Sequence, residues 1–279
     1  MRLRIDLAYD GTAFSGWARQ PGLRTVQGVL EERITQVLRL VEPAQTVCAG
    51  RTDAGVHARA QVVHVDVPDE VTGRRGEPVS PVAVLQRRLP GALPEDIVIH
   101  AVTAAPAGFD ARFSALRRQY VYRLWDSRPA VDPLSRGYAL VYPHALDVWA
   151  MTAAADTLLG YHDFAAFCRP RETGTTLRTL LTCTPTRRDD GLIETTVSAD
   201  AFCHSMVRSL MGALVLAGRG QRDQTWIEAL LDARHRVSDI PVLPALGLTL
   251  EAVVYPDDDT LAARAAEARS RRGETGCPG

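Results

Sequence analysis

Lysine is missing from this sequence: all 32 cationic residues among its 279 are arginine. That excludes Schiff-base chemistry and a lysine general base, and with the abundance of alanine it reads as a compositional bias. A basic excess is missing too. The formal net charge of −1 excludes a globally basic, histone-like binder, although a local basic groove stays compatible with it. Cysteine is sparse. Cys48, Cys168, Cys183, Cys203 and Cys277 are odd in number, dispersed and without a Cys-x-x-Cys pair. The expectation is reduced thiols in a cytosolic protein, not a disulfide scaffold or a zinc knuckle. No apolar run is long enough to span a membrane, and Met1–Asp6 enters a strand pattern with no signal-peptide core. Phosphate-loop, serine-elbow and dinucleotide glycine signatures are also absent. What is present is ordinary globular composition, 46% hydrophobic and 23% charged, enough for two moderate domains or one large one.

The densest polar cluster lies in Cys48-Ala-Gly-Arg-Thr-Asp-Ala-Gly-Val-His-Ala58. A short β-leaning run, Thr46-Val47, precedes it and a strand at 60–67 follows. Gly50 and Gly55 permit close approaches that bulkier residues forbid, so a glycine-pinned loop between strands displays Asp53, Arg51, Thr52 and His57. The same spacing also fits an ordinary Asx turn.

Around that loop the elements fall into two series. Residues 2–9 alternate as a half-buried strand. Thr25 caps a helix through Leu38, 69–79 is a polar surface loop, 81–89 is a helix stopped by Pro90-Gly91, and 97–102 is a strand. The pattern restarts with a strand at 115–125 and a helix at 146–159. A hairpin follows at 176–187 and 191–199 around Asp189-Asp190-Gly191, then helices at 202–216 and 224–233 and a strand at 248–255. Each series runs β-α-β-β-α-β. The predicted fold is α/β (α+β): two ferredoxin-like halves, 1–108 and 109–256, with sheets joined edge to edge around a central cleft. Residues 257–279 read as a frayed helix and a disordered tail.

Asp53 is the candidate nucleophile or general base. Arg208 follows the last hairpin among Phe202, Met206, Val207, Leu210 and Met211, and a guanidinium on an apolar helix face needs a partner; the alternative is an exposed stripe. Tyr120 sits in Arg117-Arg-Gln-Tyr-Val-Tyr-Arg123, where rings for stacking on bases interleave with cations for phosphate. The same pattern suits a strand alternating core tyrosines with surface arginines, and the arginine pairs at 74–75, 87–88, 117–118 and 187–188 suit solvated faces. His57 and His64 near Asp53 raise a metal site, but their spacing matches no zinc pattern.

Several stretches resemble the TruA-type tRNA pseudouridine synthases, in order and nearly end to end. These are Tyr9-Asp10-Gly11 with Gly16-Trp17, Thr25-Val26-Gln27, Ala49 to Ala58, Leu89-Pro90, Ala111 to Ala115 with Tyr120, Gly160 to Phe164, Met206-Val207-Arg208 and Gly247-Leu248. The Gly50–Ala58 block is the specific one. The resemblance implies isomerisation of uridine to pseudouridine at positions 38, 39 and 40 of the tRNA anticodon arm. It further implies no cofactor and no metal, and a cytoplasmic homodimer acting on tRNA rather than on DNA or membrane. By resemblance Asp53 is catalytic, Tyr120 packs on the flipped uracil and Arg208 pairs with the aspartate. Arg51 aids base flipping, and Leu248 lines the pocket. The chain departs from the pattern at Cys203, Ser205 and Ser209, where Leu, His and Asn are expected, and at Gln86 and Asp200, which replace asparagines. Two rivals remain: a non-catalytic RNA-binding protein on the same scaffold, and a metal-dependent hydrolase using Asp53, His57 and His64.

Overall fold

A computed structural model describes residues 1–73, 75–126, 131–169 and 175–273 of the chain. It is a mixed α/β fold with extensive mixed β-sheet, and it divides into two compact units. The first comprises Met1–Leu116 with Glu251–Ser270; the second is built on Arg117–Leu250.

In the first unit, β1 (Arg2–Tyr9) alternates as its sequence does, burying Leu3, Ile5, Leu7 and Tyr9. Helix α1 (Val26–Leu38) is capped by the Thr25 hydroxyl, which accepts from the Gly28 amide at 3.2 Å, and it buries Val26, Leu30, Ile34 and Leu38. Next come β2 (Thr46–Cys48) and β3 (His57–Asp66). The loop expected at 69–79 holds a miniature hairpin, β4 (Val71–Thr72) with β5 (Pro78–Val79). Helix α2 (Pro81–Ala92) runs past its expected stop, because Pro90 removes one amide in the last turn while Leu93 N–H still reaches Leu89 O. Strand β6 (Ile97–Ala104) completes a sheet ordered β6-β1-β3-β2, with antiparallel neighbours.

The second unit begins with β7 (Arg117–Trp125), then β8 (Leu140–Val141), parallel to β7. Helix α3 (Val148–Thr157) is capped by Asp147, which accepts from the amides of Trp149 and Ala150. Strand β9 (Gly160–Asp163) is an element the sequence pattern did not reveal. It pairs with β10 (Leu177–Arg187), whose predicted hairpin leads to β11 (Ile193–Ala199), with Gly191 at φ 96° in the turn. Helix α4 (Met206–Gly218) starts four residues later than expected, because Ser205 is left-handed at φ 64°. Helix α5 (Gln224–Asp232) and β12 (Leu248–Val254) follow, with β12 beside β7; Leu248–Leu250 belong to this unit and Glu251–Val254 to the first.

Two expectations are corrected here, and a third is made firmer. The stretch read as a frayed helix is helix α6 (Leu261–Gly273), tied down by buried Leu261 and Ala265 and by Arg269 bonded to Asp110 at 2.7 Å; the tail expected beyond it, 274–279, lies outside the described residues. The cysteines are not all reduced: Cys168 and Cys203 form a disulfide across 35 residues, while Cys48 and Cys183 are buried and outside any disulfide. Cys277 is outside the described residues. Finally, Arg118 is buried instead of solvated, and its guanidinium donates to Asp200 O.

Asp126 and Arg187 pair a buried carboxylate, 4% exposed, with a guanidinium that reaches it from the surface, 38% exposed, through two bonds of 2.7 Å. The Arg187 hydrogen bonds hold the Asp126 carboxyl below its usual range against the upward push of burial. Its stabilising contribution is therefore complete above the unfolded carboxyl pKa of about 3.9, and is lost as pH falls through the lower folded value. Equilibrium unfolding of wild type and Asp126→Asn from pH 7 to 3 should show a smaller acid loss in the variant; identical pH slopes would refute this role.

Candidate active site

The Asp53 loop, residues 49–56, is gripped from two sides within the first unit. From one side comes the main chain of the segment after β1. Trp17 N–H donates to Thr52 O at 3.0 Å and Gly55 N–H to Phe14 O at 3.3 Å. Two glycines make the approach possible. A Cβ on Gly11 would lie 2.0 Å from Val56 O, and one on Gly16, at φ 92°, would lie 3.0 Å from Thr52 O and 3.1 Å from Ala54 N. Asp53 to Val56 is closed as a turn by Val56 N–H to Asp53 O, with Gly55 at φ 78°. The amides of Gly55 and Val56 are thus committed to main-chain carbonyls.

Support from the other side is side-chain chemistry absent from the sequence-level list of candidates. Gln61, in β3 and 0% exposed, donates through Nε2 to Gly50 O at 2.8 Å and to the Tyr9 hydroxyl at 3.2 Å. Tyr9 Oη in turn lies 2.8 Å from Thr52 Oγ1. One amide group therefore braces the loop at residue 50 and, through the phenol, at residue 52. The available signal was a glutamine in a strand otherwise rich in valine, since a fully buried amide must be hydrogen-bonded. Ala49, beside the loop, is anchored in a cluster with Val62, Phe109, Ala111 and Leu261. Asp53 emerges half-buried and Arg51 exposed.

The histidines are engaged with main chain. His57 Nδ1 accepts from Gly11 N–H at 3.1 Å and also lies 3.1 Å from Asp10 Oδ1. The neutral ring makes the first contact; a protonated one would donate to the second. His64 Nδ1 accepts from Ala111 N–H at 3.0 Å, and burial pushes its pKa down, which favours the neutral ring. Among the described residues no group of three or more His, Cys, Asp or Glu is placed to hold a metal. The donor set proposed for a hydrolase is therefore not assembled.

In the second unit, Tyr120 of β7 stands opposite Val197 of β11, buried, with the Phe202 ring edge-on at 5.2 Å. Arg208, in the first turn of α4, is half-buried instead of lying on an exposed stripe. Its Nε donates to Leu243 O at 2.6 Å while Leu243 N–H donates back to Arg208 O at 3.2 Å. Gly212, one turn further, has no room for a side chain, because a Cβ would sit 1.8 Å from Pro241 O. These contacts fix α4 on the 241–243 segment and so set where the guanidinium points. Tyr122 donates to Pro244 O at 2.8 Å; burial pushes its phenol far up, with the Arg208 charge pulling the other way. Leu248 is buried at the start of β12, just after Gly247, which packs against the Tyr122 ring. Arg208, Tyr122 and the 243–248 segment thus share one corner of this unit.

Residues 7–114 and 154–256 match the family model described as tRNA pseudouridine synthase. Three proteins named tRNA pseudouridine synthase A are similar over nearly the whole chain. That of Cutibacterium acnes is 53% identical over 273 residues, covering 97% of this chain and 95% of its own. That of Frankia casuarinae is 53% identical over 272 residues, covering 98% and 96%. That of Streptomyces avermitilis is 51% identical over 274 residues, covering 98% and 94%. The chain belongs to the tRNA pseudouridine synthases, isomerases that convert uridine in tRNA to pseudouridine. Within them it is of the TruA type, as the resemblance implied.

The Gln61 brace can be tested directly. Gln61→Met keeps the volume and deletes both donated bonds, leaving Gly50 O without that donor at a cost of about 1–3 kcal/mol. Hydrogen exchange should quicken at the amides of Thr52, Asp53 and Ala54, with β9 and β10 unchanged. Unaltered exchange in the loop would show that the main-chain grip suffices.

Proposed function

We propose that the chain acts in the cytoplasm on positions 38, 39 and 40 of the tRNA anticodon arm, with Asp53 as the nucleophile. The reaction cleaves C1′–N1 of uridine, turns the uracil, joins C5 to C1′ and releases the proton of C5. A stem uridine is stacked and must first be extruded, at a cost of a few kcal/mol. A carboxylate that bonds covalently to the substrate then divides one hard step into two.

The observation that carries this reading is the construction of the Asp53 loop. A half-buried carboxylate on a short turn, held by main-chain bonds to residues 14 and 17 and by the buried Gln61–Tyr9–Thr52 set, suits a group that must meet one reacting atom repeatedly. Tyr120 offers a ring for the extruded base. Arg208 supplies a cation whose direction is fixed by Leu243, and Leu248 an apolar wall. Arg51, exposed beside Asp53, reaches for the displaced strand or its phosphates.

The ferredoxin-like description of each half belongs to the same proposal. It is supported by the strand order β6-β1-β3-β2 in one unit and β7-β11-β10, with β12 beside β7, in the other. So does the homodimer. Strand β9 ends the order of its sheet, and Tyr161, Leu177 and Leu181 of β9 and β10 are exposed; an uncovered apolar edge is a ready pairing surface for a second copy.

Tritium release from tRNA labelled at C5 of uridine tests the chemistry. Asp53→Ala should abolish release while tRNA affinity stays within about threefold, because phosphate contacts dominate binding. Release persisting in the variant would leave an RNA-binding role and remove Asp53 as nucleophile. Light scattering tests the assembly: twice the mass of one 30.4 kDa chain is expected, reduced towards one chain by Tyr161→Arg. A monomeric wild type at micromolar concentration would end the dimer reading.

A further inference from the structure

Cys168 and Cys203 lie 35 residues apart in sequence with Cα atoms at 5.7 Å, inside the roughly 4.4–6.8 Å that a disulfide spans. Cys168 closes the turn after Phe164–Phe167 and is 2% exposed; Cys203 is partly exposed. The other described cysteines differ. Cys48 and Cys183 are buried and outside any disulfide, and burial pushes the Cys183 thiol up to about 12, where it is inert at neutral pH. One pair, with one partly exposed member, is therefore set apart.

The pair also sits at a sensitive place. Cys203 belongs to the short segment that joins β11 to α4. That segment is pinned at its start by Asp200, which accepts from the amides of Thr179 and Ala201. It carries Phe202, whose ring lies against Tyr120. At its end comes Ser205, left-handed at φ 64°, a conformation a serine holds only when its surroundings impose it. Three residues on is Arg208. Besides the disulfide, the bond of Arg169 N–H to His204 O at 3.0 Å ties this segment to the Cys168 turn. A cross-link at Cys203 thus fixes the approach to Tyr120 and the entry of α4 together.

We propose that Cys168 and Cys203 form a reversible dithiol–disulfide site that exchanges with low-molecular-weight disulfides and sets the mobility of Ala201–Ser205. An external disulfide RSSR is attacked by the thiolate of the partly exposed Cys203, giving a Cys203–S–S–R bond and one RSH. The Cys168 thiolate then displaces the second RSH and closes the protein disulfide. The two protein sulfurs give up two electrons and RSSR accepts them; a thiol reductant reverses both steps. Tyr120 is nearly buried under Phe202, so a base reaches its ring only when this segment yields. The reduced protein is the faster enzyme and the oxidised one is slowed. This last consequence rests on the role proposed for Tyr120; the site itself does not.

The full chain is equilibrated with oxidised glutathione or with dithiothreitol, alkylated and mapped by peptide mass, in parallel with hydrogen exchange and tritium release from tRNA. Expected are one cross-linked peptide pair bearing Cys168 and Cys203, reversed by dithiothreitol, and faster exchange at 201–205 in the reduced form. The reduced form should also show about fivefold higher kcat/KM. Cys203→Ser and, as a second variant, Cys168→Ala should run at the reduced rate under both conditions. If both cysteines stay alkylatable after glutathione disulfide, or if the cross-link forms with exchange at 201–205 unchanged, the proposal is overturned. Cross-linking and altered exchange with equal rates would uphold the site and instead remove Tyr120 from the reaction.

Discussion

A single buried amide underlies the geometry of the Asp53 loop. Gln61 Nε2 holds Gly50 O and the Tyr9 hydroxyl, and the phenol holds Thr52. Gln61, Tyr9 and Thr52 are buried, and buried polar groups must find their partners inside the protein; the arrangement leaves little choice of partner. A loop rich in glycine and alanine has many conformations available to it. The buried polar set, together with the close approach of Gly11 and Gly16, removes all but one. The entropy that small residues would give the loop is thus offset by hydrogen bonds that cannot be traded for solvent.

The absence of lysine has structural consequences as well as chemical ones. Every buried cation is a guanidinium, whose planar set of donors can serve several acceptors at once. Buried Arg123 reaches Glu194 and Thr249, buried Arg118 donates to Asp200 O, and nearer the surface Arg187 holds both oxygens of Asp126 as well as Leu146 O while Arg4 lies over the rings of Phe109 and Tyr255. The arrangements of Arg123, Arg187 and Arg4 combine charge pairing with hydrogen bonding or ring stacking in a way a compact ammonium would not reproduce. This explains how a chain with so many arginines seats several of them inside its sheets at modest cost.

Much of this was legible in the sequence, and the limits have physical causes. The Asp53 loop announces itself because its residues are contiguous, and β1, α1 and the Asp189–Gly191 hairpin follow from local periodicity and turn chemistry. The Tyr9–Gln61 contact depends instead on the pairing of β1 with β3, which includes a bulge between Leu7 and Tyr9; no local pattern encodes it. The Cys168–Cys203 pair is hidden for the same reason, two turns brought together by folding. Arg118 was misjudged because strand alternation reveals which face a residue takes but not whether that face is covered. Helix α6 was legible only as a frayed helix, because its composition is that of a solvated segment and the few residues that anchor it, Leu261 and Ala265, meet partners remote in sequence.

That last helix bears on how the protein is made. The cluster of Ala49, Val62, Phe109 and Ala111 is closed by Leu261, and Asp110 finds its arginine at position 269. A ribosome releases Met1–Leu116 before Arg117–Leu250 of the second unit, and the helix that completes the first unit only after them. The nascent first unit must therefore wait, its Phe109 face uncovered, while the whole second unit emerges and folds. Contacts this remote in sequence form late and carry a large loop-closure entropy. During translation, the unit that carries Asp53 is begun before its neighbour and completed after it.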